Sequence, residues 1–264
     1  MRTSPTIGIL GPMRLLLADP PDPESSTVGS SLTDAELVAL YAVPRTTPAW
    51  LRANFAMSVD GAITGSDGRS GSVNTDADHV VFELLRALSD VVVIGAGTAR
   101  GEGYGPLEVA ADLAAVRAAA GIGPDLPIVL VTGQGHVPQA LQGAEPGRVM
   151  MATHASAPGL EDARRLLGPD HVLLCGQSHV EPASLVAGLH ERDFCRILTE
   201  GGPSLLATLI EADVVDELCV SITPLAIGGT GPRMTQGPSL DSQFVPRVLV
   251  EQDGTVMGRW LRQR

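Results

Sequence analysis

The sequence has few aromatic residues and few cysteines, and both shortages exclude classes of fold. Aromatic residues make up 3% of the chain, so the core must be built from Val, Leu, Ile and Ala, which supply most of the 44% of hydrophobic residues. Cys175, Cys195 and Cys219 are odd in number, widely spaced and without a C-x-x-C pair. This pattern argues against a disulfide framework and against a structural zinc site.

Basic residues and long apolar runs are also scarce. The 18 Lys and Arg residues are outnumbered by 30 Asp and Glu residues, which gives a formal net charge of −12. Such a chain lacks the clustered cations that neutralise nucleic-acid phosphates. No segment approaches the roughly 18 apolar residues of a membrane span, and the short run at 7–10 is a poor signal peptide. The sequence therefore predicts a cytoplasmic protein that has neither nucleic acid nor membrane as a partner.

The length predicts one large domain with a short N-terminal extension. The first 31 of the 264 residues contain five prolines and a Ser/Thr run, which predict a flexible linker over 19–31. Part of this extension, at Met13–Leu17, is expected to lie against the body of the protein. A capping box at Thr33–Glu36 opens a helix over 34–41, so the main domain is expected over 32–264.

Strand and helix patterns alternate from residue 50 onward. Repeated alternation predicts an α/β fold with a mostly parallel central sheet flanked by helices. A closing antiparallel pair is expected at 245–250 and 255–261, around the turn Asp253-Gly254. The other expected strands are 50–58, 91–94, 128–132, 148–153, 171–175, 196–199 and 217–223, and the expected helices are 76–89, 108–119, 161–167, 182–191 and 203–212.

Two glycine-containing loops follow expected strands, where ligands bind in open α/β sheets. At 95–100 two glycines allow a close approach to the backbone, but Arg100 occupies the third glycine position of a Rossmann fingerprint. A tight strand–helix turn is the alternative. At 200–205, Pro203 suits the first turn of a helix and the glycines leave amides open to phosphate or pyrophosphate. Glu200 is expected to face an amino or hydroxyl group of a substrate, or else to be a helix-terminal carboxylate.

The first expected strand ends in polar residues. Asn54 and Ser58 share one face of it, and Asp60-Gly61 follows. A carboxylate here can recognise a 2-aminopyrimidinone edge or serve a protonation step, although Asp-Gly is also a common turn. Gly228-Gly229 is a further glycine turn with no chemistry of its own. The six histidines form no H-x-x-x-H pair, so a metal site is not expected, and no G-x-S-x-G elbow indicates a hydrolase.

Four motifs in this order resemble a known family. They are N-x-A-x-S-x-D-G at 54–61, V-x-G-x-G-T-x-R at 93–100, L-T-E-G-G-P-S-L at 198–205 and P-x-x-x-G-G at 224–229. Together they resemble the reductase domain of the bifunctional riboflavin-biosynthesis deaminase–reductase, from about residue 50 to the C-terminus. The stretch G-x-G-T-x-R-x-E-x-Y at 95–104 also resembles stand-alone pyrimidine reductase family proteins. The resemblance implies a dihydrofolate-reductase-like fold, NADPH as the cofactor and a homodimer.

The resemblance also implies roles for individual residues. Asp60 and Glu200 would be catalytic, Arg86 would touch the substrate phosphate, and the loop at 201–205 would bind the cofactor pyrophosphate. A solvated helix face is the alternative for Arg86. The implied substrate contacts are Asn54, Ser58, Asp60, Arg86 and Glu200, and the implied NADPH contacts are Met57, Gly95, Gly97, Thr98, Thr132, Gly201, Gly202, Pro203, Ser204 and Leu205.

Departures from the family pattern leave the substrate open. The zinc deaminase domain, whose signature combines H-x-E with P-C-x-x-C, is absent because the sequence has no P-C-x-x-C, and Gly133-Gln134-Gly135 stands where a basic residue for a 2′-phosphate is expected. The preference for NADPH over NADH therefore depends on the resemblance alone. One hypothesis is reduction of a riboflavin-pathway pyrimidine of the 5-amino-6-ribosylamino-pyrimidinedione 5′-phosphate type. The others are reduction of a dihydropterin or folate, with Asp60 on its 2-amino edge, and NADP binding without efficient catalysis.

Overall fold

A ten-stranded sheet forms the centre of the computed structural model, which describes residues 12–19, 27–43 and 49–264. The strands in these ranges are β1 Arg14–Ala18, β2 Trp50–Ser58, β3 Val91–Gly95, β4 Ile128–Val131, β5 Val149–Thr153, β6 Val172–Leu174, β7 Arg196–Thr199, β8 Glu217–Thr223, β9 Phe244–Gln252 and β10 Thr255–Arg262. The helices are α1 Asp34–Tyr41, α2 Asp76–Ala87, α3 Ala96–Gly101, α4 Ala114–Ala119, α5 Leu160–Leu167, α6 Pro182–His190 and α7 Pro203–Glu211.

The strand order confirms the expected fold class. It runs β1-β9-β10-β8-β2-β7-β3-β4-β5-β6. Neighbouring strands from β8 to β6 pair in parallel. The closing pair β9–β10 is antiparallel, as are its contacts with β1 and β8. The parallel strands therefore share one C-terminal edge, and the loops that follow them lie on the same side of the sheet.

Two apolar clusters cover the two faces of the sheet. Side chains alternate along a strand, so Val92 and Ile94 of β3 enter one cluster while Val91 and Val93 enter the other. The first cluster includes buried residues of α1, α2, α4 and α5, and the second includes those of α6 and α7. Burial on both faces explains why β3 is apolar throughout. Among the helices of the described ranges, none is long and apolar enough to cross a membrane.

The N-terminal part of the described chain packs on the sheet. Thr33 and Glu36 form the expected capping box, with the Thr33 amide donating to Glu36 Oε2 at 2.7 Å. Part of the expected extension does lie against the body, because β1 pairs with β9 and both Met13 and Leu15 are buried. Of the expected linker, residues 20–26 lie outside the described residues. The domain boundary at 32 stays a prediction.

The helix expected over 108–119 is wrong in its first half. Residues 111–113 form a 3-10 turn, and α4 begins only at Ala114. No side chain caps either start in this described segment, and Ala110 still has extended backbone at φ −55° and ψ 135°. Without a capping side chain, the first backbone amides of a helix have no hydrogen-bond acceptor. The helical spacing of apolar residues is therefore not sufficient to start a helix at 108–110.

A buried ion cluster joins β2, β8 and β10. Arg259 donates to both oxygens of Glu217, at 2.7 and 2.8 Å, and Arg52 lies 3.5 Å from Glu217 Oε2. Trp50 Nε1 also donates to Oε2, at 2.9 Å. Burial alone would raise the pKa of Glu217, but the two guanidiniums outweigh it and lower the pKa from 4.5 to about 2. The carboxylate therefore stabilises the folded state only while it is ionised.

This lowered pKa predicts a pH-dependent contribution to stability. Because the folded pKa lies below the unfolded one, the contribution is present above pH 4.5 and is lost as the pH falls towards 2. Glu217→Gln should cost about 2–3 kcal/mol at neutral pH, and the gap to the wild type should narrow on acidification. Denaturant unfolding at a series of pH values measures this, with the exposed Glu211→Gln as a control. A gap that does not change with pH would contradict the prediction.

Candidate active site

An open cleft with a cavity volume of about 200 Å³ lies beside the C-terminal ends of β2, β3 and β7. It is formed by β2 and its following loop, the start of α2, α3, and the segment that joins β7 to α7. The described ranges hold no cluster of three or more His, Cys, Asp or Glu side chains that could bind a metal ion. The cleft is lined by Asn54, Phe55, Ala56, Ile63, Thr64, Ser70, Asn74, Asp78, Phe82, Thr98, Gly101, Glu102, Tyr104, Glu200, Gly202, Pro203 and Pro232.

The two glycine-containing loops meet at this cleft. The Gly95 amide donates to the Gly201 carbonyl at 2.8 Å, which joins the end of β3 to the β7–α7 loop. Gly201 has a φ of +94°, and a Cβ there would lie 2.7 Å from the Phe55 ring. A Cβ on Gly202 would overlap Thr98 Oγ1. Side chains at both positions are therefore excluded, and the backbone itself forms this wall of the cleft.

The start of α7 presents free backbone amides beside the same wall. Gly202 is the N-cap residue, Pro203 occupies the first helical position, and no side chain of the described residues caps the helix. The first-turn amides of Ser204 and Leu205 have no partner within a helix, and the helix dipole adds positive potential there. Ser204 is exposed. This arrangement suits an anionic group such as a pyrophosphate.

Glu200 is held between two donors. Arg86 donates through Nε to Oε1 at 2.7 Å and through Nη2 to Oε2 at 2.9 Å, and the Tyr104 hydroxyl donates to Oε2 at 2.7 Å. The Arg86 guanidinium also lies 4.1 Å from the centre of the Phe82 ring. Burial together with the Glu200 charge raises the pKa of Tyr104, so its hydroxyl stays protonated. A carboxylate has about four acceptor positions, so one on Oε1 remains for a ligand.

Arg86 therefore already binds another residue of the protein, Glu200. Burial acts against its charge, but the bond to Glu200 outweighs this and raises the pKa of Arg86. Its side chain is 13% exposed and does not line the cleft. The predicted contact with a substrate phosphate stays a prediction, and what the structure shows is a two-bond contact between Arg86 and Glu200.

Asp60 anchors a loop at the rim. It accepts bonds from Ser58 Oγ at 2.5 Å, from the Ile227 amide at 3.2 Å and from the Gly228 amide at 2.6 Å. The Ser58 bond and then the two amides lower the pKa of Asp60 to about 2. Asp60 is exposed and does not line the cleft. These bonds link the N-x-A-x-S-x-D-G and P-x-x-x-G-G motifs, whose proximity the sequence did not indicate.

The Asp60 geometry leads to a prediction about catalysis. A carboxyl that ionises near pH 2 is not a proton donor at neutral pH, so Asp60→Asn should lower kcat/KM less than about tenfold. The pH–rate profile of the variant should match the wild type. Asp67→Asn is a control, because Asp67 is also exposed and bonded within its own loop. A fall of about a hundredfold or more, with one ionisation missing from the profile, would instead make Asp60 catalytic.

The remaining predicted residues follow the C-terminal edge of the sheet. Ser58 is buried and bonded to Asp60 and to the Ala62 amide, while Met57 is half-buried. Thr132 follows β4 and its hydroxyl accepts from the Gln134 amide at 3.1 Å. A Cβ on Gly97 would meet open space. Predicted cofactor residues thus extend across the neighbouring strands β7, β3 and β4, and their roles stay predictions.

Sequence reasoning missed Asp78 and Tyr104. Asp78 lies in the first turn of α2, is 2% exposed and lines the cleft. One signal was available, since Asp78 shares a helix face with Val81 and Leu85 at i, i+3 and i+7, which places an acid among buried positions. Tyr104 closes the stretch at 95–104, but its partner Glu200 is too distant in sequence for any local pattern to indicate.

Comparisons with known proteins identify relatives of this chain. Residues 49–256 match the model of the RibD C-terminal domain family. The chain is 29% identical over 201 residues to the 2,5-diamino-6-ribosylamino-4(3H)-pyrimidinone 5′-phosphate reductase of Archaeoglobus fulgidus, a match that covers 75% of this chain and 90% of that protein. It is 25% identical over 178 residues to the riboflavin biosynthesis protein RibD of Mycobacterium tuberculosis, with 66% of this chain and 42% of that protein covered.

Solved structures share the fold at lower identity. A pyrimidine reductase-like protein from Corynebacterium diphtheriae superposes with a TM-score of 0.74 and 23% identity, covering 84% of this chain and 96% of that one. A diaminohydroxyphosphoribosylaminopyrimidine deaminase/5-amino-6-(5-phosphoribosylamino)uracil reductase from Thermotoga maritima superposes with a TM-score of 0.59 and 17% identity, covering 81% and 57%. These likenesses bear on the architecture alone.

Proposed function

The chain belongs to the RibD C-terminal domain family, and from this premise we propose that it transfers a hydride from NADPH to a ribosylaminopyrimidine 5′-phosphate of riboflavin biosynthesis. One observation carries the proposal: the unsubstituted backbone of Gly201 and Gly202 and the free amides of α7 stand beside Glu200 in one cleft. An anion-binding wall therefore lies next to a fixed hydrogen-bond acceptor. The wall suits the pyrophosphate of a nicotinamide dinucleotide, and the acceptor suits a hydroxyl group of the substrate.

The cleft fits a nicotinamide dinucleotide. Gly202 has no side chain to cover its backbone, which is therefore open to a ligand. The first-turn amides of Ser204 and Leu205 suit the pyrophosphate. When bound, the reduced nicotinamide supplies the hydride. Thr132 at the end of β4 would hold the adenosine ribose. Beside it, a Cβ on Gly133 would lie 3.7 Å from Nε2 of the buried His154, so this ring packs against the loop that follows β4.

The chain's own residues supply orientation and a proton. Asn54 offers an amide donor and acceptor to the heterocycle at the floor of the cleft. Glu200, fixed by Arg86, accepts from a substrate hydroxyl or amino group through the free position on Oε1. Reduction of a ring-opened imine carbon leaves its nitrogen in need of a proton, and the Tyr104 hydroxyl on Glu200 Oε2 holds one in the cleft. Fixing these groups before substrate binds is the main contribution of the protein.

The observations favour this function over the alternatives. The named relatives act on ribosylaminopyrimidine 5′-phosphates, and Asp60, which the pterin hypothesis places on the 2-amino edge, instead binds the amides of Ile227 and Gly228 at the rim. Cofactor binding without catalysis is disfavoured because the relative at 29% identity is named as a reductase. A cytoplasmic homodimer is the state that the family resemblance implies, and light scattering tests the dimer.

Turnover assays test the proposal. The purified chain is mixed with NADPH or NADH and with either the ribosylaminopyrimidine 5′-phosphate or dihydrofolate. We expect oxidation of NADPH with the pyrimidine alone, and a rise in melting temperature with NADPH, because a ligand that binds the native state stabilises it. Oxidation with dihydrofolate alone, or no oxidation with the pyrimidine, would overturn the proposed function.

A further inference from the structure

Asp78 is a buried carboxyl that faces the candidate cleft with one oxygen unused. It lines the cleft and is 2% exposed, and among the described residues Oδ1 has no hydrogen-bond partner. Ser221 on β8 bonds to the carboxyl, and burial raises the pKa of Asp78. A buried polar atom without a hydrogen-bond partner is unfavourable. The presence of one beside an open cleft points to a ligand that supplies the missing hydrogen bond.

Helix capping does not account for this carboxyl. Asp78 is the third residue of α2, where an acid can return a bond to the N-cap amide. Here the Asp78 amide donates to Thr75 Oγ1 at 3.2 Å, but no return bond from the carboxyl to Thr75 accompanies it in this described helix. In α1 the equivalent Glu36 does make the return bond. The Asp78 side chain instead reaches the cleft.

We propose that Asp78 reads position 2 of the substrate heterocycle and selects a 2-aminopyrimidinone over a uracil, an inference that rests on the proposed function. The named relatives define the two candidates, because one acts on a 2,5-diamino-4(3H)-pyrimidinone and the other on a 5-aminouracil. The first carries an amino group at position 2 and a hydrogen on N3, so it offers two adjacent donors. The second carries an oxygen at position 2.

The chemistry of the carboxyl favours the amino form. Oδ1 accepts a hydrogen bond from the 2-amino group, whereas a 2-oxo group would place an acceptor against an oxygen that is itself buried and has no other partner among the described residues. Sites built to bond a substrate N–H reject analogues that lack it strongly, because the buried protein group is then left unpaired. Asn54 lines the same cleft, so it is available to other polar groups of the heterocycle.

The test compares the two 5′-phosphate substrates in the wild type and in Asp78→Asn. We expect the wild type to prefer the 2-amino substrate by about a hundredfold or more in kcat/KM. Asp78→Asn should reduce this ratio by about ten- to a hundredfold, since an amide can donate to a 2-oxo group. Equilibrium binding of each substrate with the oxidised cofactor, where no turnover occurs, should show the same change in preference.

The matched control is Asp76→Asn, which makes the same substitution in the same helical turn at an exposed position. It should leave the ratio at the wild-type value. Equal binding and equal kcat/KM of the two substrates in the wild type would overturn the inference without using any variant, and would leave the reductase function standing. An unchanged ratio in Asp78→Asn would also overturn it. If the wild type reduces and binds neither substrate, both this inference and the proposed function fail.

Discussion

Replacing Glu200 by alanine should abolish most of the reductase activity and lower the free energy of unfolding by about 3–5 kcal/mol. Glu200 accepts two bonds from Arg86 and one from Tyr104, and its side chain is 3% exposed. Its removal leaves a largely buried guanidinium without its bidentate partner and takes the fixed acceptor out of the cleft. Denaturant unfolding measures the stability, and kcat/KM for the pyrimidine measures the activity.

Glu83→Ala is the matched control for this loss. Glu83 also contacts Arg86, but through a single 3.4 Å contact on the same helix, and its side chain is 20% exposed. A single long contact between residues three apart on one helix contributes about 0.5 kcal/mol or less, so the control should fold and turn over like the wild type. Glu200→Gln keeps an acceptor for Arg86 and should recover part of the stability with little of the activity. Wild-type stability and activity in Glu200→Ala would contradict the role assigned to this cluster.

Placing a negative charge at Ser204 should weaken NADPH binding by about ten- to a hundredfold. Ser204 is exposed in the first turn of α7, where a carboxylate would meet the cofactor pyrophosphate. The same charge interacts favourably with the helix dipole, by about 0.3–1 kcal/mol, so the folded protein should be no less stable. Ser204→Asp thus separates cofactor binding from folding. Titration calorimetry with NADPH and thermal unfolding without it measure the two effects.

Thr208→Asp provides the comparison for that variant. Thr208 is exposed one turn further along α7, and its hydroxyl donates to the Ser204 carbonyl at 3.0 Å. The added charge is the same, but it lies beyond the first turn and away from the free amides. NADPH affinity should change less than about threefold. If both variants lower the affinity for NADPH equally, general repulsion by an acidic protein would explain the loss. The start of α7 would then not be the pyrophosphate site.

Local sequence patterns predicted the bounds of a strand or helix well where the apolar spacing extended over the whole element. The bounds of α1, β2, β7 and β8 agree with the sequence expectations. Convergence of the loops after β3 and β7 was also predictable, because parallel strands share a C-terminal edge. The start of α4 was not predictable from period alone, since it depends on the absence of a cap in the segment before it.

The partners of the site residues depend on packing between distant segments. Arg86 and Glu200 meet across 114 residues, and Asp60 binds amides 167 and 168 residues away. The resemblance placed Glu200 at a substrate but gave no sign that Arg86 and Tyr104 hold it. Asp78 was missed for a related reason. In the sequence it is an acid at the start of a helix, and its place in the cleft depends on the position of α2 beside Ser221 of β8.

We propose that hydride transfer in this cleft reduces the sugar-derived carbon of a ribosylaminopyrimidine. The most direct test uses NADPH with deuterium on the transferred position at C4 and follows the label into the product by mass spectrometry and NMR. We expect one deuterium per product molecule, on the ribityl carbon bonded to the exocyclic nitrogen. A label in the pyrimidine ring, or a product that carries none, would contradict it.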